Sequence, residues 1–449
     1  MKKIFFVLTV LTLLASCHED EDPDISNKMN KQKELFDRTV LIYIAGENNL
    51  SSEIDKELME MRTGSQDIGN NALVIFVDDA NKSHKPYIIR MNKGEATDTT
   101  FLENDNYSSD PAMLRQILNY ASEHYTAREY GLVLWGHSSG WLHEDSISTT
   151  RATTVHSPMK AYGVDTGSGD YSANGKWMNM YTLNKTISEW GHLKFIFADC
   201  CQFQCVESAY ELRHATDYII ASPAEVPAQG APYATITKAL FDTSEQFYQK
   251  IVDCYFAQSF KINYYLDNWS SISYVARTPF SVVRTSELDQ LATATNILLH
   301  TFLPTADNAS WPDLSKAKLI YYRGNISSPL SSLMYDMNDV MLRYADTQSY
   351  NIWKEAFDRA VIYKMNASTG WMTASQILPY VFGQDSNGQP TEVILTDERY
   401  GGISMFVPQD RPKTWYYPYT SNDVNYDGYN ASIKKTAWYF AAHLSEFGW

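Results

Sequence analysis

Leu193-Lys194-Phe195-Ile196-Phe197-Ala198-Asp199-Cys200-Cys201 is the stretch on which the reading of this chain turns. Its first six residues make a short apolar strand, and an aspartate and two cysteines follow directly. A second run of the same kind, Gly131-Leu132-Val133-Leu134-Trp135, ends in Gly136-His137. Strands this short and this apolar are buried on both faces, as in a parallel sheet covered by helices. Ligands and reactive groups in such a sheet collect beyond the carboxyl ends of its strands. If the two strands are neighbours, about 4.8 Å apart, His137 and Cys201 project from one edge. That is a thiol nucleophile with a base beside it. Cys201 also precedes an expected helix, Val206 to Leu212, whose N-terminal partial positive charge favours thiolate.

The flanking segments repeat the alternation of strand and helix. Val40 to Ile44 is a β-branched run, and Ser51-Ser52-Glu53 opens a helix whose Ile54, Leu58 and Met61 share a face. Leu73 to Val77 and Tyr87 to Met91 read as strands. Asp110-Pro111 caps a helix with the stripe Leu114, Ile117, Leu118 and Ala121, and Leu183 to Trp190 reads as another. The expected class is α/β, three layers with a mostly parallel central sheet. In the second half, Phe247, Ile251, Cys254 and Tyr255 mark a buried helix face. Ser271 to Val275 and Ile403 to Val407 look like strands, separated by a mainly helical pattern.

The chain has 449 residues, enough for one large core or two ordinary ones. Its formal charge is −16, and no long Lys/Arg run offers a groove for phosphates, which excludes nucleic acid as a partner. Of five cysteines, three crowd into residues 200–205, too local for a disulfide framework. Lys2, Lys3 and the apolar run Ile4 to Leu14 lead to Leu14-Ala15-Ser16-Cys17. This resembles a bacterial lipoprotein signal peptide, with Cys17 as the lipidated first residue of the mature chain. The apolar run is far shorter than the ~20 residues that cross a bilayer. His18-Glu19-Asp20-Glu21-Asp22 is similar to the surface-export tag of Bacteroidetes lipoproteins. The resemblance implies an anchor in the outer membrane of a Gram-negative bacterium, at the cell surface if the tag is used.

Further motifs surround the two strand ends. Leu134-Trp135-Gly136-His137-Ser138-Ser139-Gly140-Trp141, Phe197 to Cys201, Val206-Glu207, Ala209 to Leu212, Ala221-Ser222 and Gly230-Ala231-Pro232-Tyr233 resemble the clostripain family of cysteine peptidases. Tyr43 to Leu50 is similar to that family's first strand and turn. The resemblance is strongest over residues 38–240. It implies a caspase-like fold and cleavage of protein or peptide substrates after Arg, less readily after Lys. His137 and Cys201 match the family's dyad, and the backbone N–H groups of Ser138 and Cys201 its oxyanion hole. Asp199 matches the residue beside the S1 pocket. Two departures stand out. Ser138 replaces the usual Gly, and Gln202-Phe203-Gln204-Cys205 replaces a Leu-Met-Gly pattern.

Alternation along an extended chain puts Asp199 and Cys201 on one side and Cys200 on the other. A carboxylate there opposes thiolate formation until a substrate cation neutralises it; the plainer reading is a cap for the next helix. Residues 144–160 lack apolar periodicity and read as an exposed loop. The family resemblance implies self-cleavage in it after a basic residue, at Arg151-Ala152 first and Lys160-Ala161 second. The expected division is a signal peptide at 1–16, Cys17 with a polar tether to 37, a peptidase core over 38–240, and a C-terminal region over 241–449 with a helical subdomain and further strands.

Other readings compete. Gly136-His137-Ser138-Ser139-Gly140 fits the Gly-x-Ser-x-Gly elbow of α/β-hydrolases, with Ser138 attacking, Asp423 or Asp427 orienting and His443 as base. A surface lipoprotein that binds without catalysis is another class. Cys200, Cys201 and Cys205 lack a second ligand pair for zinc. Asp165 to Asp170 and Asp423 to Gly428 imitate calcium loops, but Lys176 and Lys434 stand at position 12. No cofactor is expected to be required, and calcium is admitted through the family resemblance.

Overall fold

The computed structural model describes residues 34–141, 161–167, 175–265, 271–303, 319–323, 334–367, 371–373, 376–378, 382–384, 390–392, 396–408 and 432–449. Cys17, Arg151, Ala152, Lys160, Asp423 and Asp427 lie outside them. In chain order the strands are β1 (Phe36–Gly46), β2 (Asn71–Asp79), β3 (Tyr87–Asn92), β4 (Glu95–Phe101), β5 (Ala127–Gly136), the hairpin β6 (Tyr162–Asp165) and β7 (Lys176–Met178), β8 (Leu193–Asp199) and β9 (Thr216–Ala221). Two later strands, Phe280–Arg284 and Val361–Met365, join the same sheet. Its order is Val361–Met365, Phe280–Arg284, β9, β8, β5, β1, β2, β3, β4. The five central strands are parallel and both margins antiparallel. From β1 the chain goes to β2 on one side and β5 on the other, so a crevice opens between the ends of β1 and β5.

Each central strand alternates between two cores. Val40, Ile42, Ile44, Phe195 and Phe197 face helices α1 (Ile54–Gly64), α5 (Tyr233–Leu240) and α6 (Phe247–Ala257). Leu41, Tyr43, Leu132, Leu134 and Ile196 face α2 (Pro111–His124), α3 (Met180–Trp190), α4 (Val206–Glu211) and α7 (Leu288–Phe302), with Trp353 and Phe357 of a further helix, Thr347–Ala360. The result is the expected three-layer α/β/α arrangement. Burying a side chain of this size stabilises by about 1.5–3 kcal/mol, so the doubly covered centre of the sheet holds the fold. Residues 241–449 share both cores, and Leu35–Trp449 forms one unit.

Both strands expected in the second half form, but outside the main sheet. Ser271–Ala276 pairs with Phe260–Tyr265 in a separate hairpin. Ser404–Phe406 pairs with Met334–Asp336, which also pairs with Tyr321–Arg323. The sheet strand Val361–Met365 follows the helix Thr347–Ala360 without a break in polarity, so no period-2 signal separates the two. On α1 the buried face is Ile54, Glu57, Met61 and Gly64. Leu58 is half-buried, and a carboxyl group lies at the centre of the face. Cys254 is half-buried at the edge of α6's apolar face.

Candidate active site

Trp135 of β5 is the Cα partner of Asp199 of β8. His137 and Cys201, two residues beyond each, therefore leave the sheet at the same level, from adjacent parallel strands. Gly136 makes the bend before His137. Its φ is 138°, and a β-carbon there would stand 2.8 Å from the Ala45 carbonyl oxygen, so only glycine fits. The bend after Cys201 falls on Gln202, at φ 55°, whose N–H donates to Ala224 O at 2.8 Å. Gln204, fully buried, donates through Nε2 to the Ser281 carbonyl and hydroxyl, both at 3.0 Å. The departure at 202–205 thus ties the loop after Cys201 to the strand Phe280–Arg284.

The two neighbouring cysteines differ in surroundings. Cys200 is buried with Ala198, Phe203 and Val206, and burial pushes its thiol well above the ordinary range. Cys201 is half-buried, and its Sγ accepts from the Val226 N–H at 3.4 Å. Cys205 precedes α4, its Sγ 3.1 Å from Ser208 Oγ.

His137 is half-buried, and its Nε2 lies 2.8 Å from Asn49 Oδ1. An amide oxygen there accepts, which puts the proton on Nε2 and leaves Nδ1 as the basic nitrogen. Burial lowers the imidazole to about 4, so it is neutral at physiological pH. The contact spans the crevice between β1 and β5. Neighbouring Asn48 holds that turn, donating to Ala45 O at 3.1 Å and Val164 O at 2.8 Å.

Ser138 has a negative φ, so its side chain fits where the family pattern has glycine. Ser138 bridges to Tyr162 through Ser139 N to Ala161 O and Gly163 N to His137 O. In that kind of pair the central residue's own N–H points away from the partner strand. Ser138 Oγ donates to Ala161 O at 2.7 Å. These observations overturn the serine-elbow reading, because a β-bridge stands where the elbow needs a helix and the hydroxyl is buried in a bond. His443, its proposed base, has φ 49° and faces Glu446.

Asp199 is almost wholly buried. Oδ2 accepts from Ala231 N at 2.8 Å and Tyr233 Oη at 3.0 Å, and Oδ1 from Tyr255 Oη at 3.3 Å. It does not cap the next helix: α4 begins at Val206, and its N-cap is Cys205, with no side-chain cap. Burial raises its carboxyl to about 6 against the pull of the three donors. The Gly230–Tyr233 motif is thus the segment that Asp199 holds. Asp165 spends its oxygens on Ser108 N, Ser108 Oγ and Gly167 N and serves as a buried acceptor. Among the described residues one acidic cluster has the spacing to take a cation: ligand atoms of Glu47, Asp78 and Asp105 lie within 4.8 Å of one another, and Lys82 pairs with Glu47 and Asp105.

Comparison with known proteins agrees with this frame. A sequence profile of the clostripain family matches residues 42–439. The chain belongs to the clostripain family. Clostripain of Hathewaya histolytica is 22% identical over 242 residues, 48% of this chain and 44% of that protein, so the chain matches less than half the length of that relative. A secreted C11 cysteine protease from Bacteroides thetaiotaomicron, solved with an irreversible peptide inhibitor, is 28% identical with a TM-score of 0.64, covering 91% of this chain and 99% of that one. An inactive zymogen C11 protease from Parabacteroides distasonis is 25% identical at the same TM-score, covering 91% and 98%. The caspase-like, mostly parallel α/β/α fold is therefore shared with clostripain-family proteases.

Sequence reasoning passed over two residues at this site. Asn49 ends the turn after β1, and the strand-end rule that singled out His137 and Cys201 points to it equally. Replacing Asn49 by alanine removes a bond worth about 1 kcal/mol and unlocks the imidazole. The expected result is a roughly 5- to 10-fold fall in kcat with KM unchanged and Tm lower by only about 1–2 °C, read by steady-state kinetics and thermal melting; an unchanged kcat would show that Asn49 does not orient His137 for catalysis. The second residue, Glu57, is taken up below.

Proposed function

We propose that this chain is a cysteine endopeptidase that cleaves after Arg, less readily after Lys, through a thioester acyl-enzyme. The observation that carries the reading is the Trp135–Asp199 pairing, which starts a half-buried thiol and a neutral imidazole from one sheet edge. His137 Nδ1 takes the Cys201 proton as Sγ attacks the scissile carbonyl. The oxyanion of the tetrahedral intermediate receives hydrogen bonds from the Ser138 and Cys201 N–H groups. His137 then hands its proton to the leaving amine, and water hydrolyses the thioester with His137 again as base. Asp199, with a folded carboxyl near 6, is ionised at neutral pH and offers the P1 cation a buried partner. No step needs a cofactor.

We propose Glu47, Asp78 and Asp105 as the position for calcium. An all-oxygen set suits a hard cation, but the Lys82 ammonium already pairs there and would have to be displaced. We further propose lipidation at Cys17, anchoring the mature chain to the outer membrane with the peptidase unit beyond a polar tether. Among the described residues no helix is long and apolar enough to cross a membrane.

The proposal also includes self-cleavage at Arg151-Ala152. The second candidate bond, Lys160-Ala161, is the poorer one because Ala161 is buried and its carbonyl receives both Ser139 N–H and Ser138 Oγ–H. Fluorogenic peptides with Arg, Lys and neutral P1 residues test the specificity, with Arg turned over fastest and neutral peptides slowest. A preference for neutral P1 overturns it. N-terminal sequencing of wild type and Cys201→Ala tests the nick: a new end at Ala152 is expected in wild type alone. A nick persisting in Cys201→Ala would assign the cut to another protease.

A further inference from the structure

Helix α1 begins just past the carboxyl end of β1, and its first turns carry Glu57 into the interior. Glu57 is fully buried, and neither carboxyl oxygen has a hydrogen-bond partner among the described residues. An unmatched buried polar group costs about 1–3 kcal/mol, so its retention asks for a role. Its surroundings suggest one. A β-carbon on Gly230 would stand 3.0 Å from Asp199 Oδ2, 3.1 Å from Glu57 Oε1 and 3.3 Å from Trp135 Nε1. Gly230 itself has φ +63°, which favours glycine and keeps that point clear of a side chain. Two carboxyl groups and an indole N–H thus converge on one point beside Gly230, at the carboxyl ends of β5 and β8.

We propose that Glu57 is a second, specificity-determining carboxyl of the P1 pocket, acting with Asp199 to hold the forked guanidinium of arginine. The inference rests on the basic-P1 reading given above. Asp199 has three donors on a group with about four acceptor sites, so it can take one further N–H. Glu57 has every site to offer. A guanidinium presents several N–H donors in a fixed plane and satisfies both carboxyls at once, whereas a lysine ammonium is a point charge that suits one. This gives a physical reason for Arg over Lys that a single aspartate does not.

Groups facing Glu57 are Asp199 from β8, Tyr233 from α5 and Tyr255 from α6, with Lys56, Glu60 and Glu53 along α1 itself. Burial, and then the Asp199 charge, raise Glu57 to about 9, so the empty pocket at pH 7 holds one proton on Glu57 and one negative charge on Asp199. When the guanidinium enters, Glu57 gives its proton to solvent and the pocket holds one cation between two carboxylates. Binding therefore releases up to one proton below about pH 9, and Arg-P1 substrates are favoured as pH rises towards it.

Glu57→Gln copies the protonated acid in shape and cannot ionise, and Glu57→Met removes the acceptors. Arg-P1, Lys-P1 and citrulline-P1 peptides are compared for wild type and both variants between pH 6.5 and 9, with the rate of Cys201 alkylation as a control on site integrity. The expected result is an Arg/Lys ratio in kcat/KM that falls about tenfold in Glu57→Gln and further in Glu57→Met, a wild-type advantage for Arg that grows with pH, and unchanged alkylation. Variants that keep the wild-type Arg/Lys ratio and pH profile overturn the role of Glu57 while leaving Arg cleavage by the wild type, and hence the P1 reading, intact. Loss of alkylation together with turnover also overturns it, since Glu57 would then be a prop. Failure of the wild type to cleave Arg-P1 peptides overturns the P1 reading itself.

Discussion

Cys201→Ala lowers peptide hydrolysis by at least about 10⁴-fold, as expected for removal of a nucleophile, and abolishes labelling by iodoacetamide, while Cys200→Ala keeps both within a few-fold of wild type. The two thiols are adjacent in sequence, so only their surroundings separate them. Cys200 points into the layer beneath α4, where burial holds its proton firmly. Cys201 lies on the accessible side, with Val226 N–H directed at its sulfur. Truncating Cys200 leaves a small cavity that costs on the order of 1 kcal/mol, a stability effect without a kinetic one. Loss of labelling at Cys200 alone, with Cys201→Ala still active, would sink the assignment.

The second expected result concerns charge. In the proposed P1 pocket Asp199→Asn removes the ionised partner of the substrate cation, and breaking a buried charge pair of this kind costs about 2–5 kcal/mol, or roughly 30- to 5,000-fold in kcat/KM for Arg-P1 peptides. Neutral-P1 peptides are expected to hold their rate. Stability moves the opposite way. The folded carboxyl, near 6, stands above its ordinary 3.8, so the native state prefers it protonated. The penalty for ionising it is absent below pH 3.8, grows between 3.8 and about 6 and is constant above that, at about 3 kcal/mol. In the empty enzyme Asp199→Asn is therefore expected to raise Tm at pH 8 and to match wild type below pH 4. Unchanged Arg cleavage, or a lower Tm at pH 8, would assign Asp199 a purely structural role in holding Ala231, Tyr233 and Tyr255.

The sheet was legible because its central strands are doubly buried. Val40–Ile44, Leu73–Val77, Gly131–Trp135 and Leu193–Ala198 are short apolar runs, and their ends directed attention to His137 and Cys201. The margin beyond β9 was not: Phe280–Arg284 and Val361–Met365 pair antiparallel there, one of them running straight out of a helix. The site was legible as far as sequence spacing reaches. His137 and Cys201 stood at strand ends, and so did Asn49 in the turn after β1, but its hold on the tautomer shows only through a contact across 88 positions. Glu57 was hidden by the rule that a charged residue marks a helix's wet face. Its spacing of three from Ile54 and four to Met61 is the available signal that it faces inward.

The hairpin bridge between Ser138 and Tyr162 has a consequence for a protein cut between residues 142 and 160. The N-terminal fragment would keep β1, β2 and β5, and the C-terminal fragment β8 and β9. β5 and β8 are neighbours in the middle of the sheet, and Tyr162 Oη donates to the carbonyls of Tyr43 and Trp135 on the other fragment. The nick therefore severs the covalent chain without parting the sheet. Such a species would migrate as two bands under denaturing electrophoresis and elute as one particle in native buffer, its halves held together by the ladder that also supports the thiol and the imidazole.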